Sequence, residues 1–221
     1  MTLSNINPAD GLRSPQTACL ADPRMSGDAR GMDERWCAIS TLNLNADVPE
    51  AIVHHFETAK NVLLYAWFVY RFHMVAEQYV LTTLEFALRE RLLHENPMKI
   101  ASDRVPGLKW MLSTARKEGW ISNKQFDLSR ELAQQKSEIR HSLRMIHRME
   151  ELGLSEMEYD LSAVEIAEED LAHNWIEQFE SDLPNLRNMH AHGTKSLYPT
   201  VFKTFRIVHN LIEQLFPVNK V

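Results

Sequence analysis

Apolar residues recur at steps of three and four along most of this chain, and this spacing is what most constrains its fold. No segment alternates apolar and polar residues as a half-buried strand would, and only seven glycines occur. The sequence therefore predicts an all-α fold, a helical bundle. Amphipathic helices are expected over residues 49–96, as one very long helix or two helices broken near 71–76, and over residues 105–118, 123–151, 162–180 and 196–216.

Residues 1–47 differ from the rest of the chain, because no helical spacing lasts there for more than a few residues. This composition predicts a mobile or loosely packed N-terminal tail, whose Trp36 and Ile39 can fold back onto the helical domain. Residues 48–221 are expected to form one helical domain. The prolines and glycines that interrupt the tail are Pro8, Pro15, Pro23, Gly11, Gly27 and Gly31.

The charges of the chain are segregated along the sequence. Its net charge of −6 argues against non-specific binding of duplex DNA, which relies on cationic side chains. Residues 99–148 carry eleven Lys and Arg against five Asp and Glu, whereas residues 149–182 carry twelve Asp and Glu and no Lys or Arg. Two solvated helix faces explain this pattern most simply. The alternatives are that the two segments pack together, or that a basic surface guides RNA.

Three features favour a cytoplasmic protein without a membrane segment. The two cysteines, Cys19 and Cys37, form neither a disulfide framework nor a zinc-binding pattern. The first residues contain no basic region followed by an apolar run, so no signal peptide is expected. The most apolar stretch, residues 62–72, is shorter than the roughly 20 residues that span a bilayer, and it predicts a buried core helix.

The segment richest in chemical groups lies near the C-terminus. It places Arg187, Asn188, His190 and His192 within six residues. A guanidinium can bind a phosphate through two donors, and histidine exchanges a proton readily near neutral pH. Together these groups can hold a phosphodiester and move a proton.

This segment is expected at a junction between two helices. Ser181 or Asp182 can cap a short helix that has Pro184 in its first turn. Gly193 can end that helix, because glycine accepts the left-handed backbone conformation. Thr194 or Ser196 can then cap the last helix.

The spacing within the segment limits how its side chains can meet. On a straight helix, Arg187 and His192 would lie about 140° apart around the axis. A site that uses both needs a helix end, a bend or a second copy of the chain. The spacing alone does not choose between His190 and His192.

An arginine followed by four residues and a histidine resembles the signature of the HEPN superfamily, in which a polar residue often follows the arginine. Arg187, Asn188 and His192 match these positions, and the motif precedes a long terminal amphipathic helix. Residues 84–92 are similar to the second-helix pattern of several bacterial members. The resemblance covers about residues 50–217, although the helices inserted between residues 91 and 182 depart from the shortest members.

The resemblance implies a metal-independent endoribonuclease that uses no cofactor. Arg187 would stabilise the phosphate charge, His192 would act as the general base, and Asn188 would orient the histidine or contact the phosphate. The products would be a 2′,3′-cyclic phosphate and a 5′-hydroxyl. Family members commonly form homodimers with a composite site, and many act in toxin–antitoxin, abortive-infection or other defence systems. The implied partners are therefore RNA, a second copy of the chain and, in a toxin–antitoxin system, an antitoxin protein.

Three further residues are candidates for supporting roles. His190 belongs to the motif without a clear role in the family. Glu85 and Arg89 lie four residues apart on one helix face and can order the site, although an ordinary surface ion pair is the simpler explanation.

The residues leave other functions open. Arginine and histidine near a helix C-terminus can serve only to stabilise that terminus. A metal site would combine His190 and His192 with His173 or Glu169, but a two-residue step points the two rings to different sides of a helix. The main alternative is a non-catalytic helical module that binds nucleotide, RNA or a partner protein.

Overall fold

The computed structural model describes residues 8–25, 31–95, 106–158, 164–193 and 201–218. These residues contain three short 3-10 helices, eight α-helices and no strand, so the predicted all-α fold is confirmed. The α-helices are α1 (Met32–Ser40), α2 (Glu50–Tyr65), α3 (Phe72–Glu95), α4 (Leu108–Lys117), α5 (Ser129–Leu152), α6 (Glu168–Leu171), α7 (Trp175–Ala191) and α8 (Phe202–Leu215).

The chain forms two compact units, whereas the sequence predicted one helical domain after residue 47. The first unit comprises residues up to Ile121 and from Phe179 onward. The second unit comprises residues Ser122–Gln178.

The core of the first unit is built on α3, which packs against α2, α4 and α8. The apolar stripes of these helices supply the core because each helix buries one face, as its three-and-four spacing requires. The sequence left open whether residues 49–96 form one long helix or two. The structure contains two helices there, α2 and α3, and the chain turns between them at residues 66–71. Fully buried side chains on α2, α3 and α8 include Ile52, Phe56, Val80, Leu84, Leu88, Phe205, Val208 and Ile212.

The described part of the N-terminal segment is anchored at a few buried residues, Asp22 among them, while most of its other described residues are partly or fully exposed. Asp22 is 1% exposed and accepts hydrogen bonds from Arg24, Arg13 and the backbone N–H of Tyr70. The backbone N–H of Asp22 donates to the carbonyl of Trp67 at 2.9 Å. The hydrogen bond from Arg24 outweighs burial and lowers the pKa of Asp22 to about 2. These contacts fasten the segment to the connection between α2 and α3.

The second unit pairs part of the basic segment with part of the acidic one. Arg140 on α5 donates to Asp170 on α6 at 2.7 Å, and Lys136 lies 3.3 Å from the same carboxylate. Ser137 also donates to Asp170, which is 1% exposed. The two charge segments therefore meet along one face of α5, as one of the alternatives proposed. Helix α5 ends at Gly153, whose φ of +62° is the left-handed conformation expected there.

Candidate functional site

Helix α7 carries the motif, and it begins earlier than the sequence predicts. It starts at Trp175, because the side-chain oxygen of Asn174 accepts a hydrogen bond from the backbone N–H of Glu177 and caps the helix. The expected start at Ser181 or Asp182 is therefore wrong. Pro184 lies inside the helix rather than in its first turn.

The C-terminal end of α7 is where the sequence places it. The backbone N–H of His192 donates to the carbonyl of Asn188 at 2.9 Å, so His192 continues the helical hydrogen-bond pattern. Gly193 follows with a φ of +84° and donates to the carbonyl of His190 at 3.1 Å. This left-handed glycine ends the helix as predicted. Thr194 and Ser196, the expected caps of the next helix, lie outside the described residues.

Arg187 is held against α3 by a carboxylate. Its guanidinium donates to Glu85 at 3.2 Å, and Arg89 lies 3.8 Å from the other oxygen of the same carboxylate. The side chains of Arg187 and Arg89 are 38% and 36% exposed, whereas that of Glu85 is 13% exposed. Two cations thus share one carboxylate, which leaves one positive charge in excess at a partly open surface. A phosphate fits this arrangement, because it can accept hydrogen bonds from donors that Glu85 does not occupy.

Asn188 and His192 are exposed at the same end of α7. The side-chain oxygen of Asn188 lies 3.4 Å from a guanidinium nitrogen of Arg187, a long contact that orders either group only weakly. The imidazole of His192 has no hydrogen-bond or ion-pair partner among the described residues. Nothing in the described part of the chain therefore occupies the ring nitrogens of this exposed histidine, which can exchange a proton near neutral pH.

His190 has the opposite environment. Its Nε2 donates to Glu77 on α3 at 2.7 Å, and the His190 and Glu77 side chains are 1% and 6% exposed. Thr204 on α8 donates to the second oxygen of Glu77, so both carboxylate oxygens are occupied. The other ring nitrogen of His190, Nδ1, is buried and has no hydrogen-bond partner among the described residues. This His190–Glu77–Thr204 cluster links α7, α3 and α8 out of reach of a polymeric substrate.

The structure divides the candidate residues by the direction in which they project from α7. Because a helix turns about 100° per residue, His190 lies about 60° from Arg187, and both face α3. His192 lies about 140° from Arg187 and projects into solvent. Within one chain the structure therefore brings Arg187, Glu85 and Arg89 together but separates them from His192.

Sequence reasoning missed Glu77 and Thr204, although one signal pointed to Glu77. This carboxylate shares a helix face with buried Val80, Leu81 and Leu84, where a charge requires a buried partner. Helical spacing does not reveal that the partner is His190, which is 113 residues away along the chain.

The residues proposed for a metal site have other contacts. His173 Nε2 lies 2.7 Å from the side-chain oxygen of Gln178, and Glu169 lies 3.7 Å from Arg140. Within the described ranges, no three His, Cys, Asp or Glu side chains are grouped as a metal ion would require.

No family model, curated protein or solved structure matches this chain. None of the helices in the described part of the chain is both long enough and apolar enough to cross a bilayer.

Proposed function

We propose that this protein is a metal-independent endoribonuclease of the HEPN type, with an active site assembled from two copies of the chain. The observation that carries the proposal is the arrangement at the end of α7. Arg187 is positioned by Glu85 and remains partly open, and His192 is exposed without a partner among the described residues. Phosphate binding and proton transfer require these two properties.

The proposed reaction needs only groups that RNA and these side chains provide. His192 removes the proton from a ribose 2′-hydroxyl, whose oxygen then forms a bond to the adjacent phosphorus. The bond from phosphorus to the 5′-oxygen breaks, and that oxygen takes a proton from a water molecule as it leaves, while the proton on His192 returns to the resulting hydroxide. Arg187 stabilises the negative charge that develops on the phosphoryl oxygens. The products are a 2′,3′-cyclic phosphate and a 5′-hydroxyl.

The separation of Arg187 and His192 is the reason for invoking a second copy. A separation of about 140° around α7 places the two side chains of one chain on different faces. Two α7 ends related by a two-fold axis would each contribute Arg187 to one half of a cleft and His192 to the other. The excess positive charge shared by Arg187 and Arg89 would attract the RNA backbone to that cleft.

The same separation favours a second candidate function, a helical module that binds nucleotide, RNA or a partner protein without cleaving it. In that function Arg187 and Arg89 would bind a phosphate, and His192 would have no role in chemistry. The two functions are distinguished by the products formed from RNA.

The direct test is incubation of a labelled single-stranded RNA of mixed sequence with the purified protein in EDTA. We expect fragments with 2′,3′-cyclic phosphate ends from RNA, and none from DNA of the same sequence, because DNA lacks the 2′-hydroxyl. Arg187→Ala should abolish cleavage. Arg144→Ala, which removes an exposed arginine of α5, should leave cleavage unchanged.

The opposite result has an equally clear meaning. If the folded wild type leaves the RNA intact but binds it, and Arg187→Ala weakens that binding, the binding module is the correct function. Cleavage that persists in Arg187→Ala would refute the proposed site.

A further inference from the structure

Three aromatic rings form a row along the outer side of the α2–α3 pair. The ring of His55 on α2 contacts two rings of α3, with centroid distances of 5.6 Å to Tyr79 and 5.2 Å to Phe86. Tyr79 and Phe86 are seven residues apart, which is two helical turns, or about 10 Å along α3. Because His55 contacts both, this aromatic row continues across the gap between them.

The aromatic row lies at the protein surface and not in the core. Each of its three residues is half-buried, whereas Phe56, which follows His55 directly, is fully buried. Part of each aromatic residue therefore remains in solvent. An unpaired base can cover such a surface, because stacking on an aromatic side chain removes apolar area of both partners from water.

The aromatic row ends one helical turn from a cation whose hydrogen-bond donors are not used by the described residues. Arg89 follows Phe86 by three residues, which makes the two side chains neighbours on the surface of α3. The guanidinium of Arg89 lies 3.8 Å from Glu85, beyond hydrogen-bond distance, and its Nε has no hydrogen-bond partner among the described residues. Arg187 reaches the same Glu85 from α7 at 3.2 Å. Aromatic rings and two guanidinium groups thus occupy neighbouring turns of one helix.

We propose that the aromatic row binds unpaired bases of single-stranded RNA, while Arg89 and Arg187 bind the phosphates next to them. This inference rests on the proposed function, since it assigns the residues that hold the RNA at that site. Aromatic side chains beside a cationic surface bind single strands with little sequence preference, because every base has a face that can stack. Bases of a duplex are already stacked on one another and would not be bound in this way.

Phe86 is the main stacking residue of the aromatic row. Its ring is tilted by 54° from the ring of His55, and it is the ring of the row that lies nearest to Arg89 along α3. The ring of Tyr79 lies nearly parallel to that of His55, at 11°, so one of its faces is already partly covered. Substitution of Phe86 should therefore have the largest effect on binding.

The test is the binding of a labelled single-stranded RNA with methylated 2′-oxygens to the full-length protein, measured by fluorescence anisotropy. This probe has no 2′-hydroxyl, so it reports binding apart from cleavage. Phe86→Ala should raise the Kd about tenfold, whereas Phe86→Trp keeps an aromatic face and should bind as the wild type does. Phe72→Ala is the matched control, because Phe72 is 37% exposed on α3 but lies about 20 Å from Phe86 along the helix. It should leave the Kd unchanged.

A second probe separates stacking from charge. A sugar-phosphate chain of the same length without bases should bind the wild type and Phe86→Ala equally, because it has nothing to stack. Arg89→Ala should weaken the binding of both probes, since both carry phosphates. A duplex of the same sequence should bind the wild type more weakly than the single strand does.

Three results would overturn the inference. The first is a wild type that does not bind the single strand, and the second is a Phe86→Ala variant with the wild-type Kd. The third is a Phe86→Ala variant that loses the same affinity for both probes, because that loss would come from the charged surface or from the fold and not from stacking. Equal helical content by circular dichroism in the wild type and Phe86→Ala checks the fold separately.

Failure of the ribonuclease proposal is distinguished by RNA that carries its 2′-hydroxyls. If the wild type binds this RNA through Phe86 but does not cleave it, the aromatic row is supported and the ribonuclease is refuted. If the wild type cleaves it and Phe86→Ala changes neither binding nor cleavage, the aromatic row alone is refuted.

Discussion

Helix α7 carries two histidines at its C-terminal end, and they occupy opposite environments two residues apart. His190 is buried, and one of its ring nitrogens donates a hydrogen bond to Glu77. His192 is exposed and has no partner among the described residues. The same helix therefore uses one histidine for packing and leaves the other available for chemistry. Because Gly193 ends the helix directly after His192, the second histidine stays outside the core.

This difference shows that a motif's residue types do not by themselves define a site. The position of each residue around the axis of α7 determines whether its side chain is buried in the core or exposed to solvent. If this comparison is right, substitutions at the two histidines should affect different measurements.

The largest expected effect is on cleavage by His192→Ala. Loss of a general base should lower the initial rate of RNA cleavage by roughly 100- to 10,000-fold. The temperature midpoint of unfolding should not change, because the side chain is exposed. His54→Ala is the matched control, since His54 is 70% exposed on α2 and should retain full activity. An equal loss of cleavage rate in His192→Ala and His54→Ala would show that His192 has no specific role in cleavage.

The next effect concerns the buried histidine. His190→Ala leaves one oxygen of the buried Glu77 carboxylate without its donor, although Thr204 still donates to the other, and should lower the free energy of unfolding by about 3 kcal/mol. Urea unfolding followed by circular dichroism measures this difference. His190→Gln retains a donor for Glu77 and should lose clearly less stability. A His190→Ala variant as stable as the wild type would mean that the cluster does not hold α7.

Asp22 provides a reference for a buried carboxylate outside the motif. Because its pKa is lowered to about 2 in the folded protein, its ionised form contributes stability above the unfolded pKa of about 4. That contribution, about 2 kcal/mol, should disappear as the pH falls from about 5 to 2.

Urea unfolding of the wild type and Asp22→Asn at several pH values isolates this contribution. The difference in stability between them should narrow as the pH is lowered through this range. At neutral pH the substitution should not change the cleavage rate per folded molecule. A constant difference in stability at all pH values would contradict the assigned role of Asp22.

The smallest expected effect is that of Glu85, which contacts Arg187 at a partly exposed position. Glu85→Gln should reduce cleavage about fivefold, because the contact that orients Arg187 contributes about 1 kcal/mol. Glu50→Gln removes the same charge from an exposed position on α2 and should leave the rate unchanged. An unchanged rate in Glu85→Gln would mean that Arg187 needs no positioning partner.

The fold could be predicted from the sequence where a local pattern determines the structure. The apolar stripes predicted α2, α3, α4, α5 and α8, and Gly153 and Gly193 predicted the ends of α5 and α7. Helix α1 lies where no helix was expected, and the single helix expected over residues 162–180 is instead α6 followed by the start of α7. The start of α7 was missed because Pro184 resembled a first-turn proline, while the Asn174 cap lay further upstream.

Contacts between distant residues could not be predicted in this way. Asp22 and Tyr70 are 48 residues apart, and Glu77 and His190 are 113 apart. A charged residue on an apolar helix face indicates that it has a buried partner but does not identify that partner. Residue spacing alone likewise could not decide between His190 and His192 as candidate site residues. Only the packing of α7 on α3 distinguishes them, because it buries His190 and leaves His192 exposed.

The most direct measurement for the shared active site is complementation between two inactive variants. Arg187→Ala and His192→Ala are purified separately, mixed under conditions that allow chains to exchange, and assayed for RNA cleavage in EDTA. If each site takes Arg187 from one copy and His192 from the other, mixed dimers contain one intact site, and about a quarter of the wild-type activity should return. A mixture that stays inactive although mixed dimers have formed, beside an active wild type, would contradict a site shared between two copies.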